Sequence, residues 1–224
     1  MGRPPRQLVT REAIMGTALA LVDEEGADAL STTRIAARLG VKGPALYNHV
    51  SGRDEIIDGM RDLIVAEMDL APGIRPWTAA LDSWARSYRA AFAAHPRVVP
   101  LLVGRPVRSV AALQAYAEAF AVLREAGWPE EHLLPIVRCV EYYLIGSALD
   151  LAAPDHVLPP GEEPPPGLEP LLNPPPDLRE LAFEAGLAAL TRGFERTLAD
   201  LREHAGGLPG LRREPDAARS GRSV

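Results

Sequence analysis

From Thr10 onward the apolar residues Ile14, Ala18, Leu21 and Val22 recur at i, i+4, i+7 and i+8, the spacing of one helical face. Glu12 lies in the first turn and Gly26 stands where a left-handed C-terminal cap belongs, so the pattern predicts a helix ending at Gly26. Ser31 or Thr32 then caps a short second helix with Ile35, Ala36 and Leu39 inward and Gly40 at its end. Gly40-Val41 turns into Pro44-Ala45-Leu46-Tyr47, a short third helix in which Pro44 near the first position needs no amide partner. Ser51-Gly52 breaks the chain, and Asp54-Glu55 open a longer fourth helix carrying Ile56, Met60, Leu63 and Ile64.

Beyond Ala71-Pro72-Gly73 the helical period continues with bulkier residues. Trp77, Leu81, Trp84, Tyr88 and Phe92 form one stripe that His95-Pro96 ends, with His95 read as a C-terminal cap. Residues 101–106 form a loop or short helix, and Val110 to Ala126 is helical with Leu113, Tyr116, Phe120 and Leu123 inward. Residues 130–152 continue with Pro135 in the first turns or at a kink. Ten of the 22 prolines lie in 154–176, a stretch expected to be an irregular loop. Phe183, Leu187, Leu190, Phe194, Leu198 and Leu201 then mark a last long helix, whose near-heptad spacing favours a dimer seam over ordinary core. Residues 205–224, rich in Gly, Pro and Arg, are expected to be a disordered tail.

Strand alternation is nearly absent, so the expected fold class is all-α. A three-helix head covers 1–54, and a larger helical body covers 55–204 with the fourth helix as connector. Composition narrows the function classes. At 224 residues and 47% hydrophobic, the chain can bury a sizeable core. No uncharged run exceeds ten residues, well short of the roughly 20 apolar residues that span a bilayer, and no basic-then-apolar leader opens the chain. The expectation is a soluble cytoplasmic protein with no membrane partner. The single Cys139 allows no intramolecular disulfide and no multi-cysteine zinc site.

A net charge of −6 argues at first against a nucleic-acid partner, but the charge is segregated. Residues 1–53 hold seven cationic residues against five acids, residues 54–204 hold 13 against 23, and residues 205–224 hold four against two. Within the head, residues 29–53 contain Arg34, Arg38, Lys42 and Arg53 and no acid. This basic island coincides with the short helix, glycine turn and short helix of a helix-turn-helix, whose second helix offers its first residues to the major groove. Lys42 suits a guanine edge or a phosphate, Pro44 and Ala45 suit a thymine methyl, and Asn48 suits adenine. Tyr47, His49 and Arg53 suit phosphates, and Thr32 and Thr33 add hydroxyls and oriented amides at the second helix's N-terminus. The opposing readings make Tyr47 a core aromatic and His49 a brace for the fourth helix.

The run Thr32-Thr33-Arg34-Ile35-Ala36-Ala37-Arg38-Leu39-Gly40-Val41-Lys42-Gly43-Pro44-Ala45-Leu46-Tyr47-Asn48-His49-Val50 resembles the DNA-binding domain of the tetracycline-repressor family. Its specific part is Leu-Gly-Val, four residues, then Leu-Tyr-x-His-Val with the basic Arg53 soon after. The resemblance runs from about Leu8 to Met68. It extends more weakly to Leu-Val-Gly-Arg-Pro at 102–106 and Gly-Leu-Ala-Ala-Leu-Thr-Arg-Gly-Phe-Glu at 186–195. It implies an all-α homodimer joined through its last long helices, a palindromic operator and an effector pocket in the body. It also implies phosphate contacts from Tyr47, His49 and Arg53, and base contacts from Thr33, Lys42, Gly43, Pro44, Ala45 and Asn48. Tyr88 and Arg105 match pocket positions. The family's namesake holds its drug's magnesium with a histidine before the Gly-Thr-Arg-Pro stretch and uses another late in the fourth helix. Here the first place falls near Leu101 and no histidine lies between His49 and His95, so magnesium-tetracycline is not the expected effector.

The resulting expectation is a ligand-responsive transcriptional repressor with double-stranded DNA and a small-molecule effector as partners. Candidate effector contacts are Met60, Leu63 and Ile64 on the fourth helix, with Trp84, Tyr88, Arg105, Tyr116, Phe120, Glu141 and Tyr142 in the body. Two rivals remain: a sensor acting through protein contacts, and an all-α enzyme. Against the enzyme, the chain has no Glu-x-x-His, no His-Glu-x-x-His and no nucleophile-elbow pattern, so no catalytic residue, metal ligand set or cofactor is expected.

Overall fold

The helical period carries through to the fold: among the described residues the regular structure is entirely helical, with no strand. A computed structural model describes residues 9–68, 73–153, 166–168 and 174–206. Most of the proline-rich stretch 154–176, and the tail beyond residue 206, lie outside the described residues.

The head begins with α1 (Arg11–Glu25), whose N-cap Thr10 accepts a hydrogen bond from the Ala13 amide at 3.1 Å. It ends at Gly26, held at φ 91° while its amide bonds the Val22 carbonyl at 2.7 Å. Ser31, not Thr32, caps α2 (Thr32–Arg38) by accepting from the Arg34 amide. The short third helix is a 3-10 segment over Gly43–Asn48, not an α-helix. Its turns are closed by i→i+3 bonds, Ala45 N to Lys42 O and His49 N to Leu46 O, both at 2.9 Å. Next, α3 (Arg53–Ala66) runs from the head into the body. Ile14, Ala18, Leu21, Ile35, Leu46, Ile57 and Met60 are buried together, so one core joins α1, α2, the 3-10 segment and α3.

The body comprises α4 (Trp77–Ala94), the one-turn α5 (Val99–Leu102), α6 (Val110–Glu125), α7 (Glu130–Leu151) and α8 (Leu178–Gly206). α7 packs on α4, α6 and α8, and α6 also packs on α3. Trp128 is buried with Leu123, Leu133, Ile136, Val137 and Leu198, and meets Trp77 edge to face at 6.0 Å. The α8 stripe is corrected from seam to core: Phe183, Leu187 and Leu198 are buried within the protomer. Arg89 explains part of this, reaching from α4 to lie 4.1 Å over the Phe183 ring while its Nη1 bonds Glu180 at 2.6 Å. Leu113 is also corrected, being 51% exposed. Burial of Ser109, Ala112 and Leu123 sets the inward line of α6, and Leu113 falls about 80° from it.

Candidate nucleic-acid interface and effector cavity

The head presents its polar residues on one turn because the apolar residue between them is anchored. Leu46 is fully buried while Tyr47 is 58% exposed, which removes the core reading of Tyr47. Thr33, Lys42, Pro44, Asn48, His49 and Arg53 are exposed, and Thr32, Gly43 and Ala45 are half-buried. His49 does not hold the first turn of α3. Glu55 does so, accepting from the Ser51 amide at 2.7 Å, the Ser51 hydroxyl at 2.9 Å and Arg11 Nε at 3.1 Å. Those Ser51 and Arg11 donors hold the Glu55 carboxyl below its ordinary value.

The basic island is not free of acid in space. Arg34 pairs with Glu25, and Arg38 pairs with both Glu24 and Glu25, because the last turn of α1 lies beside α2. These bonds hold both glutamates below their usual range. Lys42 and Arg53 make no ion pair among the described residues, so the uncompensated positive charge sits at the front of the 3-10 segment and of α3.

A cavity of about 450 Å³ lies where α3, α4, α5, α6 and α7 converge. Five predicted effector residues line it: Tyr88, Arg105, Tyr116, Glu141 and Tyr142. Met60, Leu63 and Ile64 do not. Met60 and Ile64 are fully buried in the core that head and body share, and the face of α3 that meets the cavity lies one residue round the helix, about 100° away, at Arg61 and Val65. That register is visible in Ile57, Arg61 and Val65, an i, i+4, i+8 line in which Arg61 is the one polar residue. Trp84 lines a separate cavity of about 270 Å³ with Trp77, Leu81 and Ile136. Phe120 lines neither, packing against Tyr116 and under Arg124. Arg138 was not among the predicted residues, although its place one helical turn before Glu141 and Tyr142 was readable.

Inside the larger cavity the Tyr116 hydroxyl donates to the Glu141 carboxylate, 2.8 and 2.7 Å from its two oxygens, and Arg138 Nη1 donates to Oε2 at 3.1 Å. Burial, then this bond to Glu141, pushes the Tyr116 hydroxyl up to about 12. Burial, then the Glu141 charge, also raises Tyr88. The cavity is wired to the head. Arg105 pairs with Asp54 in the first turn of α3, and Arg61 Nη2 donates to the Leu102 carbonyl at 3.1 Å. Asp62 accepts from the Ser109 hydroxyl and from the Ala111 amide at 3.2 Å. His95 follows its predicted place as the C-cap of α4, and its ring lies 2.7 Å from Asp23 and 3.2 Å from Glu67, bracing the end of α4 against α1 and α3.

A helix-turn-helix head, a single connecting helix and a cavity-bearing helical body define a two-part all-α regulator fold. Comparison with known proteins agrees along both parts. Residues 14–60 match the model for bacterial regulatory proteins of the tetR family, and residues 71–171 match the tetracyclin repressor-like C-terminal domain. The chain is 30% identical over 197 residues to the class A tetracycline repressor from transposon 1721 of Escherichia coli, covering 82% of this chain and 89% of that protein. An HTH-type transcriptional repressor of Streptomyces coeruleorubidus is 28% identical over 148 residues, 65% of this chain; the chain spans 55% of that relative's length. Among solved structures, a tetracycline repressor variant of Acinetobacter baumannii AYE in complex with minocycline is similar at a TM-score of 0.68 and 26% identity, covering 85% and 99% of the two chains. ActR of Streptomyces coelicolor in complex with actinorhodin is similar at 0.69 and 25%, covering 85% and 96%. The chain belongs to the tetracycline-repressor family of bacterial regulators. Among the described residues no helix is long and apolar enough to cross a membrane, and no cluster of three His, Cys, Asp or Glu is placed to hold a metal ion.

Proposed function

We propose that this protein is a cytoplasmic, ligand-responsive transcriptional repressor, without catalytic activity, that binds a palindromic operator as a homodimer and releases it when a small molecule fills the larger cavity. The observation that carries this reading is the exposed donor set Lys42, Tyr47, Asn48, His49 and Arg53, mounted on the buried Leu46 and joined by α3 to a cavity. Residues 1–54 act as the reading head and 55–204 as the body. Lys42, Gly43, Pro44, Ala45 and Asn48, with Thr33, meet base edges, while Tyr47, His49, Arg53 and the Thr32 end of α2 meet phosphates. Two heptad-spaced stripes of small and apolar residues are exposed, Cys139, Tyr142, Gly146 and Leu149 on α7 and Ala182, Ala185, Ala189 and Gly193 on α8. They supply the dimer seam that the buried α8 stripe does not.

The effector touches Tyr88, Arg105, Tyr116, Glu141 and Tyr142. Arg61 and Val65 carry its presence into α3, whose Met60 and Ile64 then move with the head's core. The minocycline and actinorhodin complexes of the two similar structures support a small-molecule effector. Retardation of pooled duplex DNA by the full-length protein tests the reading: a sequence-selective complex is expected, and a folded protein that retains no duplex would instead favour a sensor acting through protein contacts.

A further inference from the structure

The charged side chains lining the larger cavity are Arg61, Arg105, Arg138 and Glu141, three cations against one carboxylate. Two of the cations are already answered. Arg138 pairs with Glu141 at 3.1 Å, and Arg105 pairs with Asp54 outside the lining. Arg61 has no carboxylate partner among the described residues, although it is only 9% exposed. Its Nη2 donates to the Leu102 carbonyl, but its Nε is buried with no acceptor. Tyr88, a buried residue, lines the same cavity, and its hydroxyl makes no hydrogen bond among the described residues. A buried guanidinium without a counter-ion is costly, so the unfilled valences here ask for an anion that accepts.

The lining beside these donors is flat and apolar. Tyr88 and Phe92 stack with ring centroids 4.4 Å apart and planes 14° apart, and Val99 and Leu102 adjoin them. A volume of about 450 Å³ lies within the range of ordinary small-molecule sites. We propose that this cavity receives a planar, fused-ring aromatic carboxylate, with Arg61 as its buried counter-ion and the Tyr88 hydroxyl as a second donor. The inference rests on reading the cavity as the effector site. It names the chemistry of an occupant opposite in charge to a metal-chelated cation.

The test uses the full-length protein without DNA, titrated calorimetrically with anthraquinone-2-carboxylate, its neutral carboxamide, and decanoate as an acid without rings. The carboxylate is expected to bind about tenfold or more tighter than the carboxamide, and clearly tighter than decanoate. Arg61→Gln keeps a polar side chain but removes the charge. It should lower carboxylate affinity about tenfold and leave carboxamide affinity within about threefold. No binding of the carboxylate, equal affinity for carboxylate and carboxamide, or an acid preference that persists in folded Arg61→Gln protein overturns the proposal. Decanoate binding as tightly as the ring acid overturns its aromatic part. If Arg61→Gln does not fold, the wild-type ratio decides. DNA retardation separates the two levels: operator binding without acid preference sinks this inference alone, and acid preference without operator binding sinks the repressor reading alone.

Discussion

Leu46 and Tyr47 are adjacent in the chain and opposite in environment, one fully buried and the other 58% exposed. Leu46→Ala should cost about 2–5 kcal/mol in urea unfolding, because it empties the centre of the head's core. Tyr47→Ala should change stability by no more than about 0.5 kcal/mol while weakening operator binding at fixed salt. Near-wild-type affinity for Tyr47→Ala would remove Tyr47 from the DNA interface. Tyr116 carries a second prediction. Its folded-state value near 12 lies above the ordinary 10, so its stabilisation is complete below pH 10 and is lost as pH rises toward 12. Wild-type stability should fall over that window, and Tyr116→Phe should flatten the fall; an unchanged alkaline profile would contradict the half-buried Tyr116–Glu141 pair. At this scale the sequence was a good guide to exposure in the head, since helical spacing separates Leu46 from Tyr47. It was a poor guide to charge pairing, since the acids that meet Arg34 and Arg38 lie on α1, nine to fourteen positions away.

Among the elements, α3 links the head to the cavity. Its first turn holds Asp54, the partner of Arg105 from the cavity, so Asp54→Asn should blunt the effector-driven release of operator without touching the cavity lining. Both partners are substantially solvent-exposed, and such a pair contributes at most about 1 kcal/mol to stability. Fluorescence titration of effector with the variant should give an unchanged affinity, and retardation should show operator still held at saturating effector. Full release would show that another link transmits the signal. Between α7 and α8 the close approach is set by Gly186, where an added methyl would fall 2.6 Å from Tyr143 Cε2. Tyr143 stacks on Phe183 and bonds its carbonyl at 2.6 Å, so Gly186→Ala should displace the ring and cost about 1–3 kcal/mol. Element types and most helix limits were legible from caps and glycines. The 3-10 geometry of Gly43–Asn48 was not, because apolar spacing over six residues does not distinguish it from a short α-turn. The cavity-facing register of α3 was legible only by giving the cation Arg61 the weight of an inward residue.

For the whole molecule, the net charge of −6 is a sum over unlike parts. The acids at the end of α1 neutralise two of the four cations in 29–53, so positive charge is concentrated at Lys42 and Arg53. Specificity then depends on few contacts, which a two-fold dimer repeats. The seam is expected along the exposed stripes of α7 and α8, whose small residues permit close helix approach. The period of the α8 pattern pointed to a seam but could not tell an inward stripe from an outward one, because both repeat every three to four residues. Selection of bound sequences from a random duplex pool by the full-length protein tests whether two heads read one operator. The expected result is an inverted repeat, its half-sites about 34–36 Å apart or a multiple of that, with two protomers on each duplex. Enrichment of no sequence, or of a single asymmetric site bound by one protomer, would contradict it.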